Sequence, residues 1–434
     1  MQLISARWVV PVEPSGLVLD DHAVLVDAGR ITAIGPRDAL LAAHPGVTHS
    51  HLSEHVLIPG LVNAHTHVAM SLMRGLADDL PLMTWLEEHI WPAEAKAVSA
   101  AFVRDGAELA FAEMLRGGTT CVHDMYFFPD VVADVAHAMG MRATVGAIVI
   151  EFPSAWAAHP EEYFAKGLAV AERWRGDAQI TVDLAPHAPY TVSDRTFERV
   201  RRLAAEHDLR VHLHLHETAF ECEDSVRQHG VRPIARINRL GLLDERLGAV
   251  HMTQLNDAEI ALVAERGVSV LHCPESNLKL ASGFCPVGKL LAAGTNVAFG
   301  TDGAASNNDL DLLGETRTAA LLAKAVAGDA RALDAHAALR GATLGGARAL
   351  GRDRQIGSIE VGKQADLVAV ALDDLSTVPV YHPVSQLIYA AGRQAVSHVW
   401  IAGVAKVVDG TLVDVDSGRL KAKAREWRER LGTT

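Results

Sequence analysis

Short apolar runs alternate with longer stretches of helical periodicity between about residue 59 and residue 357. This alternation is typical of βα units on a parallel sheet, and eight such units in about 300 residues indicate an α/β fold of the (β/α)8 TIM-type barrel class. Periodicity alone leaves a doubly wound open sheet as the alternative. The eight predicted strands are Val56–His65, Thr119–Asp124, Arg142–Ile150, Ile180–His187, Leu209–His216, Gly248–Met252, Val268–His272 and Asn296–Asp302. Helices are predicted between them, for example over Ser99–Arg116, Phe164–Arg175, Arg195–His207, Ala258–Glu265 and Leu310–Ala327.

The two ends of the chain carry short β-type runs separated by turn residues such as Pro14 and Gly29. Because the runs at both ends are similar, we expect them to build one small domain. We therefore predict a small β-sandwich domain from residues 1–58 together with 358–418, a catalytic barrel over 59–357, and a charged surface helix over 419–434.

The composition excludes several classes of protein. Lys and Arg number 40 against 53 Asp and Glu, a net charge of −13 that repels polyanions, so no nucleic-acid partner is expected. No run reaches the ~18 apolar residues of a membrane span, so no membrane insertion is expected. The four cysteines form no C-x-x-C pair and suit a reducing compartment, which predicts a cytoplasmic location.

Polar side chains lie at or beside the ends of seven of the eight predicted strands. Because the carboxyl ends of barrel strands assemble the active site, we expect these side chains to converge. Most are histidines, of which the chain has 22 against nine lysines, and imidazole is the commonest metal ligand. The alternative, that each histidine merely satisfies buried backbone groups, weakens when so many occur together. The side chains are His65, His67, His123, Asp124, His187, His212, His214, His216, Glu217, His251, His272 and Asp302.

Two histidine patterns indicate a metal site. In P-G-L-V-N-A-H-T-H, His65 and His67 lie two residues apart, so on a strand both point to one side and can reach one cation. In L-R-V-H-L-H-L-H-E, His212, His214 and His216 share one face and apolar residues share the other. Imidazole clusters with a carboxylate suit zinc or iron, although a polar barrel lining without metal is the alternative. The pattern does not choose between His214 and His216.

Two carboxylates complete the predicted centre. Asp302, in G-T-D-G-A-A-S-N-N after the last strand, could join three histidines and leave a position for water, as a catalytic zinc requires. Glu217, on the loop side of the histidine strand, suits a general acid/base rather than a ligand. Two-metal barrel hydrolases often carry a modified lysine at the end of the fourth strand, and I-T-V-D-L-A-P-H has none. One ion with a carboxylate that carries protons suits hydrolytic deamination.

Several longer motifs extend along essentially the whole chain. They are P-G-L-V-N-A-H-T-H, M-S-L-M-R-G-L-A-D-D-L-P-L-M-T-W-L, M-Y-F after Asp124, A-P-H-A-P-Y, H-L-H-E-T, H-C-P-E-S-N-L-K-L, G-T-D-G-A-A-S-N-N-D-L and I-G-S-I-E-V-G-K-Q-A-D-L-V. Together they resemble the amidohydrolase superfamily, and within it the 5-methylthioadenosine/S-adenosylhomocysteine deaminases. Single motifs are shared with other deaminases and triazine hydrolases, whereas R-G-L-A-D-D-L with A-P-H-A-P-Y and D-G-A-A-S-N-N narrows the choice.

The resemblance implies a divalent metal ion, one per chain, with zinc as the expected metal. The ligands that it implies are His65, His67, His214 and Asp302. It also implies that Glu217 protonates the ring nitrogen beside the attacked carbon, and that His251 helps to position and deprotonate the water that the metal binds. Asp302 would be both ligand and proton acceptor, and ammonia would leave from purine C6.

The same resemblance places a small-molecule nucleoside in the pocket. Glu94 would bind the ribose hydroxyls and His187 would contact the nucleoside, while Trp85, Ser306 and Glu217 would also line the pocket. A carboxylate on a ribose diol makes physical sense, because a buried polar site strongly rejects analogues that lack the matching hydroxyl.

One segment departs from the family pattern. Members that accept the homocysteine-bearing nucleoside use arginines after the third strand, yet residues Gly146–Ala158, G-A-I-V-I-E-F-P-S-A-W-A-A, offer none. The apolar side chains of Phe152 and Trp156 suit a methylthio group better than an amino-acid tail. The predicted substrate is therefore 5′-methylthioadenosine, with adenosine and S-adenosylhomocysteine as lesser substrates.

Two other interpretations share the same predicted metal site, formed by His65, His67, His214 and Asp302 and called the cage below. One is a deaminase or chlorohydrolase of another heterocycle, such as guanine or a triazine, for which Glu94 should be dispensable. The other is a non-catalytic, metal-dependent binding protein, against which the presence of Glu217 and His251 argues. The sequence leaves open whether the chain forms a homo-oligomer.

Overall fold

A computed structural model describes residues 1–432, which form two separate sheets with helices packed around them. In chain order the strands are β1 (Gln2–Val9), β2 (Leu19–Asp27), β3 (Arg30–Pro36), β4 (Thr48–Pro59), β5 (Leu61–Thr66), β6 (Thr119–Asp124), β7 (Arg142–Val149), β8 (Ile180–Pro186), β9 (Val211–Leu215), β10 (Leu247–His251), β11 (Ser269–His272), β12 (Val297–Phe299), β13 (Leu367–Ala371), β14 (Val396–Ile401), β15 (Val404–Val408) and β16 (Thr411–Leu412).

Strands β5 to β12 are hydrogen-bonded in sequence order, and the paired strands run parallel. An isolated parallel bridge joins Thr66, at the end of β5, to Asp302, just after β12, so the sheet curls round until its first and last strands meet. This arrangement confirms the predicted (β/α)8 barrel and excludes the open sheet. All eight carboxyl ends consequently lie at one end of the barrel.

The predicted strand Val56–His65 is wrong as a single element. Strand β4 ends at Pro59 and belongs to the second sheet, which is described below. Strand β5 begins at Leu61 and belongs to the barrel, so the chain passes from one sheet to the other at Gly60. A Cβ atom on Gly60 would lie 2.0 Å from Oγ1 of Thr120, so only glycine allows the chain to pass there. The apolar run continues through both strands, and its pattern does not mark the change of sheet.

Both ends of the chain build the second sheet, as predicted, in the order β16-β15-β14-β13-β4-β1-β2-β3. The two ends meet where β13 pairs antiparallel with β4, with Leu367 opposite Pro59. A buried ion pair ties this sheet to the barrel: Arg142, which begins β7, donates from Nε to Asp366 Oδ2 at 2.6 Å and from Nη2 to Oδ1 at 3.0 Å. The residue boundaries of the three predicted parts, 1–58 with 358–418, 59–357 and 419–434, stay predictions.

Helices pack around the barrel and, in the case of the first helix, against strands β2 and β3 of the second sheet. They are α1 (Arg37–Ala43), α2 (Leu82–Thr84), α3 (Trp91–Ala97), α4 (Ala100–Arg116), α5 (Pro129–Met139), α6 (Pro160–Arg173), α7 (Asp194–His207), α8 (Ala219–His229), α9 (Pro233–Arg239), α10 (Asp257–Glu265), α11 (Pro274–Lys279), α12 (Val287–Ala292), α13 (Ala304–Asn307), α14 (Leu312–Ala327), α15 (Ala335–Arg340), α16 (Gly346–Ala349), α17 (Pro383–Tyr389) and α18 (Ser417–Leu431). Short 3-10 helices lie at Val68–Met73 and Arg393–Ala395, and π-helical turns at Trp85–Ile90 and Gly341–Gly345.

The five helices predicted from periodicity are present as α4, α6, α7, α10 and α14, each shifted by a few residues at most. The predicted terminal helix is also present as α18, which begins at Ser417; residues 433–434 of that prediction lie outside the described residues. Among residues 1–432, every helix is too short or too polar to cross a membrane.

Candidate active site

Two overlapping groups of potential metal ligands lie at the carboxyl ends of the barrel strands. His65, His67 and Asp302 offer ligand atoms within 4.8 Å of one another, and so do His65, His214 and His251. Oδ1 of Asp302 is 3.4 Å from Nε2 of His65 and 3.1 Å from Nε2 of His67. The structure therefore brings together the four residues that the resemblance implied as ligands, with His251 beside them.

Two of these histidines use Nδ1, the ring nitrogen that faces away from the centre, in a hydrogen bond to a backbone carbonyl group. His67 donates Nδ1–H to the carbonyl oxygen of Met125, and His214 donates Nδ1–H to the carbonyl oxygen of His187 at 2.8 Å. A carbonyl oxygen only accepts, so each of these rings carries its proton on Nδ1. In the neutral ring Nε2 is then the atom that is left to bind a metal ion, which is the usual arrangement for a metal-binding imidazole.

Asp302 is held as an ionised carboxylate. Its Oδ2 accepts the hydroxyl of Ser276 at 2.6 Å and that of Ser306 at 3.0 Å. Burial acts to raise the pKa of Asp302, but the adjacent rings of His65 and His67 outweigh it and hold that pKa well below its ordinary range. The serines occupy one oxygen, so Oδ1 remains directed at the histidines.

The backbone at these strand ends is strained. His216, His251 and Asp302 have positive φ angles of 53°, 74° and 59°, a left-handed conformation that costs a non-glycine residue about 1–3 kcal/mol. Backbone hydrogen bonds hold two of these turns: the N–H of Asp302 donates to the carbonyl of His65 at 3.1 Å, and the N–H after His251 donates to Leu215 at the same distance. Such strain is concentrated at functional sites.

The donor set fits a divalent cation. Nδ1 of His65 pairs with Nε2 of His212 at 2.8 Å, and burial lowers the pKa of His65 to about 3, so this ring is neutral. Burial likewise holds the pKa of His214 well below its ordinary value. Nε2 atoms of these two neutral rings face each other at 3.2 Å, beside the Asp302 carboxylate. A cation between them would satisfy lone pairs that otherwise repel.

A proton donor and a proton acceptor face the same space. The buried side chain of Glu217 places Oε2 3.8 Å from Nε2 of His251, and burial raises the pKa of Glu217. Nδ1 of His251 lies 2.9 Å from Oδ1 of Asn277. Because that amide oxygen accepts, His251 carries its proton on Nδ1 and Nε2 is free to take another.

A pocket that is partly open to solvent adjoins these residues. Glu94 lines it, and its Oε1 accepts the hydroxyl hydrogen of Tyr126 at 2.6 Å. Burial raises the pKa of Glu94 to about 7, although the hydrogen bond from Tyr126 opposes the shift. The sequence-predicted pocket residues Trp85, Glu94, His187, Glu217 and Ser306 all line this one pocket.

Most of the remaining wall is apolar. Trp91, Ile148, Ile150 and Phe152 line the pocket, and its lining among the described residues includes no arginine or lysine. The sequence predicts that Trp156 lies beside the substrate together with Phe152, but Trp156 is not among the residues that line this pocket. It is buried and packs against Tyr163, with ring centroids 5.7 Å apart.

The sequence pattern did not choose between His214 and His216 as the residue that faces the metal site, and the structure shows that it is His214. His216 lies just after β9, and its left-handed backbone breaks the alternation that would have placed it beside His214. Its Nε2 accepts the backbone N–H of Ile234 at 3.0 Å, away from the cage. His212 is the outer partner of His65, and His123 stacks on His212 with centroids 3.6 Å apart. Other strand-end candidates, Asp124 and His272, are buried and are not among the pocket-lining residues.

Several supporting residues were missed by the sequence reasoning. Tyr126 holds Glu94, Ser276 holds Asp302 and Asn277 holds His251. Each follows the end of a barrel strand within a few residues, so the strand-end rule could have found it. Hydroxyl and amide side chains are common in loops, so the residue types alone did not indicate a functional role.

Comparisons with known proteins agree with this site. The amidohydrolase family model matches residues 56–406, and a model for the imidazolonepropionase-like composite domain of bacteria matches residues 23–46. A 5-methylthioadenosine/S-adenosylhomocysteine deaminase from Teredinibacter turnerae is 48% identical over 429 residues, which cover 99% of this chain and 97% of the relative.

Two solved structures that contain zinc have the same fold as this chain. An adenosine deaminase from Xanthomonas campestris with bound zinc superposes with a TM-score of 0.97 at 60% identity, covering 99% of this chain and 98% of that one. An atrazine chlorohydrolase from Arthrobacter aurescens, complexed with zinc, superposes with a TM-score of 0.91 at 26% identity, covering 98% and 100%.

A parallel barrel that gathers histidines and an aspartate at its strand ends defines a metal-dependent hydrolase of the amidohydrolase class. The family model spans the whole barrel with β13 and β14 of the second sheet, and the Teredinibacter turnerae relative matches nearly the whole chain, so that both sheets are included. The chain belongs to the 5-methylthioadenosine/S-adenosylhomocysteine deaminase family of amidohydrolases. The resemblance found in the sequence is thereby confirmed.

Proposed function

We propose that this protein removes the amino group from C6 of 5′-methylthioadenosine by hydrolysis, giving the inosine analogue and ammonia. Adenosine and S-adenosylhomocysteine are proposed as lesser substrates. The observation that carries the proposal is that Glu217, His251 and Asp302 line one pocket together with the half-buried side chain of Glu94. The named activity of the Teredinibacter turnerae relative supports the same reaction.

One divalent ion would be held in the cage, and zinc is proposed because the Xanthomonas campestris neighbour contains it. Its proposed ligands are His65, His67, His214 and Asp302. When bound, such an ion supplies Lewis acidity, which lowers the pKa of water towards neutrality.

The protein side chains would move the protons. Glu217, whose pKa is raised by burial, keeps a proton that it donates to N1 of the purine as the oxygen of water bonds to C6. Nε2 of His251 and the carboxylate of Asp302 accept the two protons that the water loses. The C6–N bond then breaks; one of these protons leaves on the amino group as ammonia, and the other returns to Glu217, whose own proton stays on N1.

The rest of the pocket would hold the nucleoside. The carboxylate of Glu94, oriented by Tyr126, accepts hydrogen bonds from the two ribose hydroxyls. His187, Trp85 and Ser306 complete the contacts. Since Nδ1 of His187 pairs with Oγ1 of Thr191 at 2.9 Å, its ring has a fixed orientation towards the substrate. A free base such as guanine would leave the ribose position empty, which favours a nucleoside.

The lining favours an uncharged 5′ substituent. Among the described residues it offers no cation for a carboxylate, and Phe152 with Ile150 provides an apolar wall instead. Glu87 adds negative charge at an adjoining cavity, which disfavours the carboxylate of S-adenosylhomocysteine, whereas the charge of Asp224 in that cavity is paired with Arg227. A cytoplasmic location and the absence of a nucleic-acid partner remain predictions from the sequence.

The test is a comparison of substrates on metal-loaded protein. The change in ultraviolet absorbance on deamination is followed with methylthioadenosine, S-adenosylhomocysteine, adenosine and guanine at matched concentrations. We expect the largest kcat/KM with methylthioadenosine. Faster turnover of guanine than of every nucleoside would overturn the proposal.

A further inference from the structure

Glu221 is a buried glutamate whose carboxyl group no step of the proposed reaction uses. It lies in the first turn of α8, the helix that follows the histidine strand β9. Its Oε1 accepts the backbone N–H of His216 at 3.1 Å, and its Oε2 accepts the backbone N–H of Glu217 at 2.7 Å. A single side chain thus binds two successive peptide groups, and the second belongs to the proposed acid.

The local sequence explains why the carboxylate lies there. Thr218 is the N-cap of α8, and its hydroxyl accepts the N–H of Glu221 at 3.2 Å. In an ordinary capping box, the glutamate three residues after the N-cap binds the backbone N–H of the N-cap itself. Here the carboxyl group binds the N–H groups of the two residues before Thr218, so the start of the helix is tied to the end of the strand.

The chain turns sharply at this point and leaves backbone groups that need partners. His216 has a φ angle of 53°, and buried N–H groups without an acceptor are costly. Glu221 satisfies two of them, while the hydroxyl of Thr253 donates to the carbonyl oxygen of Glu217 at 2.6 Å. The backbone of Glu217 is therefore held on both sides, and only its carboxyl group extends towards His251.

We propose that Glu221 is a positioning residue for Glu217: it fixes the backbone of the acid so that the carboxyl group stays within reach of the substrate ring nitrogen. This inference rests on the role proposed above for Glu217. A displacement of about 1 Å at a reacting group can lower turnover about 100-fold, so a backbone anchor of this kind bears directly on kcat.

The test begins with Glu221→Gln, which preserves shape. The amide can accept only one of the two N–H groups, and its NH2 would face the other. We expect kcat to fall about 10- to 100-fold while KM stays near the wild-type value, because the pocket contacts to the nucleoside are unchanged. Glu223→Gln is the matched control: it makes the same change on the exposed side of α8 and should leave both constants unaltered.

A double-mutant cycle separates positioning from a general structural role. If Glu221 acts through Glu217, adding Glu221→Gln to Glu217→Gln should cause little further loss, since the acid is already absent. An equal loss in both backgrounds would overturn the inference, and so would wild-type kcat in Glu221→Gln. Near-normal activity of Glu217→Gln alone would instead defeat the proposed function, so the two failures are distinguishable.

Metal content and thermal unfolding of each variant are measured alongside the kinetics. If Glu221→Gln does not fold, the same cycle is carried out with Thr253→Val, which keeps the volume but removes the donor to the carbonyl oxygen of Glu217. A loss of kcat that vanishes in the Glu217→Gln background supports backbone positioning. Unchanged kcat, or a loss that persists in that background, overturns it.

Discussion

Nε2 of His65 and Nε2 of His214 lie 3.2 Å apart although 149 residues separate them in the sequence. Both rings are buried, and burial lowers the pKa of each, so a shared proton is a poor means of stabilising the pair. A divalent cation is the more favourable partner, because it accepts both lone pairs and attracts the carboxylate of Asp302.

Metal analysis of the active protein is expected to give one divalent ion per chain. Chelation should abolish turnover and lower Tm, because a ligand present at 100 times its Kd stabilises the folded state by about 2.7 kcal/mol. His214→Asn should lose the ion, whereas His216→Asn should retain it, since His216 binds the backbone of Ile234 instead. Two ions per chain, or active protein without metal, would contradict the cage.

Glu217→Gln is expected to keep the metal ion and lose most turnover. The amide cannot supply the proton that a carboxyl group of raised pKa holds, and losing a general acid lowers kcat about 10²- to 10⁴-fold. Metal analysis together with kcat for methylthioadenosine checks the result. Near-normal turnover would remove Glu217 from the mechanism.

Glu94→Gln is expected to lower kcat/KM for methylthioadenosine about 10- to 100-fold, because a hydrogen bond to a charged group contributes about 1.5–3 kcal/mol. The exposed Glu88, six residues earlier, supplies the control: Glu88→Gln should behave as wild type. An unchanged kcat/KM in Glu94→Gln would favour a substrate without ribose, such as a triazine.

The pH dependence of KM should report on Glu94. Its pKa is about 7 because burial disfavours the charged form, so the carboxylate predominates above pH 7 and is lost as the pH falls through that value. KM for the nucleoside should therefore rise from pH 8 to pH 6, and Glu94→Gln should abolish the change. Tyr126→Phe removes a hydrogen bond that lowers this pKa, so it should move the midpoint to higher pH. A flat profile in the wild type would argue against ribose binding by Glu94.

The substrate ranking should follow the charge of the pocket wall. We expect kcat/KM for methylthioadenosine to exceed that for S-adenosylhomocysteine, because the described lining has no cation for the carboxylate. Phe152→Arg introduces one at the wall and should raise the relative kcat/KM for S-adenosylhomocysteine, whereas Phe152→Leu should not. A wild-type preference for S-adenosylhomocysteine would refute the argument from the apolar wall.

Much of the barrel could be predicted because each strand produces a hydrophobic pattern within its own short stretch of sequence. Strand β6 has the predicted bounds, Thr119–Asp124, and β9 lies within the predicted Leu209–His216. The exception at Gly60 arose because one apolar run serves two sheets, and only the close approach of Thr120 reveals the crossing. Hydrophobic periodicity describes burial along a strand and contains no information about which sheet buries it.

By itself, the sequence determined the alternation of strands and helices, the H-x-H pair at His65 and His67, and the polar residues that end the strands. These features are local, since side-chain direction along a strand has a period of two. Only the tertiary structure shows that Asp302 lies against His65, and that His216 turns away to bind the backbone of Ile234 while His214, the ligand that the family resemblance implied, faces the cage. Those contacts depend on barrel closure and on left-handed turns at strand ends, which distant parts of the chain stabilise and a local pattern does not encode.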